Sequence, residues 1–341
     1  MLPAMILHAK PPSRHAVQPL DAAPIAPMAT VPSWLRRAVE TAPTLEDAAL
    51  AAGAALTALD AVVRRDEKWA GAWRQRLALA AAAATARQAG RTEDEAALRD
   101  SFLLTRRGDD CGPAGLLLLA WRRLAARPAE HLLTAKNLAA VLEEFGFFAR
   151  DGAAVGDLLE DLRQLSTAAG VVEMLTGAFA SAERHGFGRN FGSWLADAML
   201  TQRLGWRHAV PLLGAQTASG KNRRGVRAKT TTMTERDQAP GRERVQGLLL
   251  AQARAALRAI DLSTELGRRA ERLIAVTPKL RANGADAVVE QLLSDDALVA
   301  SRGDKRTGMS DRGLRRLFDR LVDLGAVREL SGRTTFRIYG L

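Results

Sequence analysis

The chain has 341 residues, 47% of them apolar, 26% charged and 5% aromatic, with a formal net charge of +11 and a pI near 10.7. That length allows a substantial core and two or three domains, while the single Cys111 excludes an internal disulfide and a cysteine-based zinc site and suits a reducing cytoplasm. No apolar run reaches the roughly 20 residues of a membrane span, so no membrane association is expected. A field of this sign selects polyanionic partners, nucleic acid first.

Alanine and leucine dominate the composition, and strong helix formers at that density predict an all-α fold. Residues 1–32 carry seven prolines and no sustained period, and read as a disordered, Pro-rich tail. Nothing in them resembles the apolar core and cleavage site of a secretory leader. Helical signals start at Thr44, where "TLED" offers an N-cap with Asp47 three residues on. The helix 45–65 follows, then "WAGAWRQRLALAAAAATARQAG" over 69–90, in which Gly71 and the alanines allow another helix to approach closely. A third helix, 92–104, opens on acids that suit the positive helix end. Further helices are predicted at 116–127, from Pro128 toward Phe148, and at 153–168, 170–184 and 190–204. No βαβ alternation and no fixed repeat is visible, so 44–213 reads as one helical domain.

The next segment, 214–244, reads as a basic flexible loop. Over 215–244 it has eight Lys or Arg against three acids and almost nothing large and apolar. Its Lys221, Arg223 and Arg224 are candidates for contact with nucleic acid. After it, residues 245–276 predict two helices and 285–300 a shorter one.

The end of the chain, about 285–341, predicts a small module of one helix and a β-hairpin. Ser310 is a preferred N-cap with Asp311 in the first turn. Leu314, Leu317, Phe318, Leu321 and Val322 follow the spacing of one buried face, and Gly325 stops the helix. "AVRELSGRTTFRIY" then predicts two strands around a Ser-Gly turn, with Leu330 opposite Arg333 and Val327 opposite Phe336 in a small core. On the outside, Arg312, Arg316 and Arg320 form one stripe at four-residue spacing, an arrangement that costs a few tenths of a kcal/mol per like-charged pair. Arg315 pairs by spacing with Asp319. Arg302, Lys305 and Arg306 precede the helix, and Arg328, Arg333 and Arg337 decorate the hairpin. A helix followed by a basic two-stranded ribbon is the reading half of a winged helix-turn-helix, with the helix in the major groove and the wing on phosphates.

Catalytic motifs are incomplete. "AQTASGKN" (215–222) approaches a phosphate-binding P-loop, but Asn222 stands where a magnesium-binding Ser or Thr belongs. The five histidines show no metal-ligand spacing. The acids at 92–95, 143–144 and 157–162 fit helix starts and solvated faces. Asp109 and Asp110 beside Cys111 lie in a loop, yet no neighbour in sequence would activate the thiol. No catalytic residue, metal or other cofactor is assigned.

Two resemblances complete the reading. "WAGAWRQRLALAAAAATARQAGRTEDEAALRD", "GDDCGPAGLLLLAWRRLA", "PKLRANGADAVVEQLL" and "MSDRGLRRLFDRLVDLGAVRELSGRTTFRIYGL" resemble a bacterial family catalogued as domain of unknown function 1403. The likeness covers nearly all of the chain after the tail. It implies a bacterial protein, often plasmid- or island-encoded, and no known activity. "SDRGLRRLFDRLVDLGAVRELSGR" resembles the stretch from recognition helix to wing in the winged-helix domains of Fic-type and plasmid-borne helix-turn-helix proteins. It departs from them at "SRGDKRTG", where a preceding helix is expected. "RHGFGRNFG" is similar to the Fic motif in the order of His185 and Phe187, but lacks its acidic residue and its Gly-Asn-Gly-Arg cradle.

The function expected from the sequence is nucleic-acid binding by a cytoplasmic protein, with DNA as partner and a regulatory or mobile-element maintenance role. Arg312, Arg316, Arg320, Arg328, Arg333 and Arg337 carry it, assisted by the 221–224 cations. The alternatives are a helical scaffold whose module docks a protein, and a degenerate Fic-type nucleotidyl transferase.

Overall fold

The computed structural model describes residues 31–105, 108–147, 152–168, 170–216, 233–280, 282–300 and 308–341. The tail 1–30, the part of the basic segment at 217–232 with Lys221, Arg223 and Arg224, and the stretch 301–307 lie outside the described residues. The fold is all-α with a small three-stranded antiparallel sheet near the C-terminus. Its helices are α1 (Ser33–Thr41), α2 (Leu45–Arg64), α3 (Ala70–Gln88), α4 (Glu95–Leu104), α5 (Gly112–Ala126) and α6 (Ala135–Glu144), then α7 (Gly152–Ala168), α8 (Val171–Arg184), α9 (Arg189–Arg203), α10 (Met233–Val276), α11 (Ala285–Ser294) and α12 (Asp311–Asp323).

The helix starts follow local chemistry. Thr44 accepts from the Asp47 N–H at 3.1 Å, Asp94 from that of Ala97 at 2.9 Å, and Ser310 from that of Gly313 at 3.2 Å. Each satisfies an amide that the first turn leaves without an intrahelical partner. α3 sits at the centre and is buried around most of its circumference, which its alanine run permits. α5 packs along it, and Gly71 lies so close to the end of α11 that an added Cβ would meet the Ser294 backbone at 2.7 Å. α2 presents Ala48, Ala51, Ala52, Ala55 and Leu59 to the long helix α10. Small side chains give up buried area but bring the two backbones close, so dispersion contacts replace bulk. Trp73 Nε1–H donates to the Ala259 carbonyl at 2.8 Å, and Trp194 Nε1–H to that of Ala120 at 3.0 Å. Both indoles therefore keep a partner in the core.

Several sequence expectations change. The chain turns helical at Ser33, with Leu35 and Val39 buried, eleven residues before the first predicted cap. The stretch 245–276 is one helix instead of two. Thr264 Oγ1 bonds back to the Ile260 carbonyl at 3.0 Å, so the hydroxyl is satisfied without breaking the helix. α10 also reaches back to Met233, inside the segment read as a loop. Pro128 opens a short 3₁₀ turn, Ala129–His131, before Thr134 caps α6.

The terminal module differs most in its sheet. Residues 297–300, read as helix, contain strand β1 (Leu298–Val299), which pairs with β3 (Ile338–Gly340); β2 (Arg328–Glu329) lies on the other side, giving the order β1–β3–β2. Arg328 faces Gly340 and Glu329 faces Tyr339, so the predicted pairing of Val327 with Phe336 is wrong by five positions. The connection is a wide loop over 330–337. In it the Glu329 carboxylate accepts from Ser331 Oγ–H at 2.6 Å, while Ser331 Oγ accepts from the Ile338 N–H at 3.2 Å. Register follows burial. Tyr339 stacks on Phe318 with centroids 4.5 Å apart, and Ile338 and Leu341 are buried, whereas Phe336 is 61% exposed at φ +54°. Val322, counted on the buried face of α12, is exposed as well.

Candidate nucleic-acid interface

α12 is strongly two-sided. Leu314, Leu317, Phe318 and Leu321 fill the module's core, and Ser310 and Gly325 (φ +64°) define its ends. Arg312, Arg316 and Arg320 stand on the opposite face, all exposed. None of the three has a carboxylate partner among the described residues, and the helical body does not cover them. Arg328 is exposed on the edge strand, facing outward. Its charge reaches Arg269 of α10, whose pKa is lowered by burial first and by Arg328 next. Arg269 itself is paired with Glu265 one turn away and donates to the Leu341 carbonyl at 3.2 Å.

The loop arginines behave differently. Arg333 is folded back onto Asp100 of α4. Arg337 lies 3.9 Å from Asp319 and donates from Nε to the Arg333 carbonyl at 3.3 Å. Asp319 therefore meets Arg337 across the module, not the Arg315 that sequence spacing suggested. Of the six arginines nominated in this module, Arg312, Arg316, Arg320 and Arg328 have no carboxylate partner among the described residues, while Arg333 and Arg337 meet acids. Lys221, Arg223 and Arg224 lie outside the described residues, as do Arg302, Lys305 and Arg306.

Sequence reasoning missed Phe336 as a surface feature. Between its loop and α12 lies a cavity of about 280 Å³, bordered by Arg315, Asp319, Thr335 and Phe336. The signal was its setting: one aromatic among Thr334, Thr335 and Arg337, where a core residue would have apolar neighbours.

The other candidates resolve into structural roles. His185 caps the end of α8 and its Nε2 lies 2.9 Å from Asp161 Oδ2, an acid on α7 that also meets Arg184 at 2.7 Å. A carboxylate thus holds the ring. Phe187 is buried against Phe147 and Phe191, so this part of the Fic-like string is core. Asp110 accepts from the Gly112 N–H at 2.7 Å, and burial, then the Asp110 charge, pushes the Cys111 thiol up, away from a reactive thiolate. Glu144 is buried and paired with Arg123 at 3.0 Å. Among the described residues no group of three or more His, Cys, Asp or Glu could hold a metal ion, and no helix is long and apolar enough to cross a membrane. Of the P-loop-like string, residues 217–222 lie outside the described residues.

Comparison with curated proteins gave no match. A family model described as protein of unknown function (DUF1403) matches residues 22–341, a span that takes in the helical body, the central basic segment and the arginine-bearing terminal module together. On that match the chain belongs to the DUF1403 family.

Proposed function

We propose that this chain is a DNA-binding protein that meets the phosphate backbone through α12, in the manner of a winged-helix module. The observation that carries the reading is the stripe Arg312, Arg316 and Arg320: exposed, on one helix face, and without a carboxylate partner among the described residues. Three like charges in a row repel one another, so a polyanion that neutralises them is a natural counterpart. The order α11, β1, α12, β2, β3 and the strand arrangement β1–β3–β2 support a winged-helix plan. Arg328, exposed on β2, extends the basic surface to one side.

The test is a salt titration of binding to duplex DNA by fluorescence anisotropy. Each phosphate neutralised by the protein contributes about 0.9 to the slope of log K against log salt. Replacing Arg312, Arg316 and Arg320 together with Gln should reduce that slope by about 2.7. An unchanged slope, or no binding by the parent protein at low salt, removes the reading.

Phe336 favours a second reading, in which the module docks a protein. An aromatic 61% exposed beside a cavity of about 280 Å³, with Arg333 and Arg337 of its own loop already paired, has the form of an anchor for a partner side chain. Loss of a purified partner on Phe336→Ala, with DNA binding intact, would select it.

A further inference from the structure

A second basic site lies away from the terminal module. Between α9 and α10 is a cavity of about 520 Å³, the size range of sites for small organic ligands. One face of α10 supplies Arg244, Gly247, Ala251, Arg254 and Arg258 at helical spacing. The two small residues in the middle leave the space, and a Cβ at Gly247 would meet nothing within 4 Å. Across it stands Arg189, the first residue of α9, with its guanidinium 5.2 Å from the centre of the Phe179 ring.

The charges here are uncompensated. None of these four arginines has a carboxylate partner among the described residues, whereas the adjacent Arg242 is paired with Glu46 at 2.9 Å. Glu243 is the single acid on the wall. Arg258 has its pKa lowered by burial first and by Arg254, one turn away, second. A further donor is idle: Gln216 Nε2 is buried with no partner among the described residues, although the Gln216 backbone carbonyl accepts from Gln88 Nε2 at 3.1 Å. Buried donors without partners are uncommon and call for a specific explanation. Phe179, Leu213 and Leu248 give the same cavity an apolar part.

We propose that this cavity binds a nucleotide-sized organic polyphosphate, with Arg189, Arg244, Arg254 and Arg258 on its phosphoryl oxygens and the apolar wall on its organic part. Guanidinium forks match phosphoryl oxygens two at a time, and Arg189 stands at the N-terminal, positive end of the α9 dipole.

Calorimetry on the full chain at fixed ionic strength tests it, with ATP, pyrophosphate and adenosine as probes. ATP and pyrophosphate should bind and adenosine should not. Arg254→Gln with Arg258→Gln should weaken ATP about a hundredfold, since each guanidinium removed from a phosphoryl group costs about tenfold in affinity. Gly247→Glu keeps all four arginines and sets a carboxylate among them, so it should abolish binding in a protein whose unliganded melting temperature is unchanged. Absence of ATP binding in the parent, or equal binding in either variant, overturns the proposal. Loss of ATP binding in the Arg312, Arg316, Arg320 triple variant instead would also overturn it, and would leave the DNA reading standing.

Discussion

Asp197 is buried, and the hydrogen-bond donors to its carboxylate are backbone amides. It sits on α9, and its carboxylate accepts from the amides of Leu212 at 2.8 Å and Leu213 at 3.0 and 3.1 Å. Burial pushes its carboxyl up to about 7, and the amides of Leu212, Leu213 and Gly214 only partly offset this. A folded-state value above the unfolded one means the folded chain binds the extra proton. Stability is therefore greatest below about pH 4 from this group and falls as pH rises toward 7. The rise from 3.8 to about 7 sets an upper bound of about 4 kcal/mol on that loss. Urea denaturation from pH 4 to 8 should show a flatter profile for Asp197→Asn than for the parent, because Asn keeps an acceptor and does not titrate. Equal slopes would mean the carboxylate is already ionised in the fold. Nothing in "SWLADAML" marks this aspartate, since its partners lie fifteen residues on in a segment with no periodic pattern.

The helices were legible where the determining contact is local. Thr44 and Ser310 bond three residues ahead, and Gly325 supplies the left-handed stop, so these ends could be read from a few adjacent letters, whereas the helix expected from Thr92 starts only at Glu95, behind an Asp94 cap. The hairpin was not legible, because its register depends on which residues reach α12 and the body. "TTFRIY" offers Phe336 and Tyr339 as rival aromatics, and only packing against Phe318 selects Tyr339. The two therefore differ sharply as targets. Tyr339→Ala should cost about 3–5 kcal/mol, as removal of a buried aromatic does, while Phe336→Ala should stay within about 0.5 kcal/mol. Equilibrium denaturation of both variants checks the register, and the reverse ranking would restore the pairing first expected from the sequence.

Across the molecule, the terminal module is joined to the body through acids at the start of β1. Asp296 is buried between Arg76 of α3 and Arg99 of α4, the latter at 2.6 Å, and Asp295 meets Arg122 of α5 at 2.7 Å. Desolvation works against the Asp296 charge, but the two guanidinium groups outweigh it and hold its carboxyl below the usual carboxylate range. This contribution has the opposite sign to that of Asp197. It is fully present above the ordinary carboxylate range and is lost as pH falls through the lower folded value. Asp296→Ala leaves two guanidinium groups buried without a counter-charge, so a loss of about 3–5 kcal/mol is expected. Hydrogen exchange should then rise first in 285–300 and 326–341. Uniform exchange across the chain, with unchanged stability, would show that the ion pairs do not hold the module in place.

Composition and spacing were enough to specify most of the helices, the Thr44 and Ser310 caps, the amphipathic α12 and a strongly basic surface, since each depends on residues within a turn or two of one another; α1 and the length of α10 were not among them. Which arginines remain available was settled by distant chain. Asp100 captures Arg333 from 233 residues away, Asp319 draws in Arg337, and no carboxylate among the described residues reaches Arg312, Arg316 or Arg320. The cavity between α9 and α10 has the same origin. Arg189 and Arg254 are unremarkable in a chain with 49 basic residues, and they line one cavity because the fold brings the start of α9 across from the Gly247 and Ala251 face of α10.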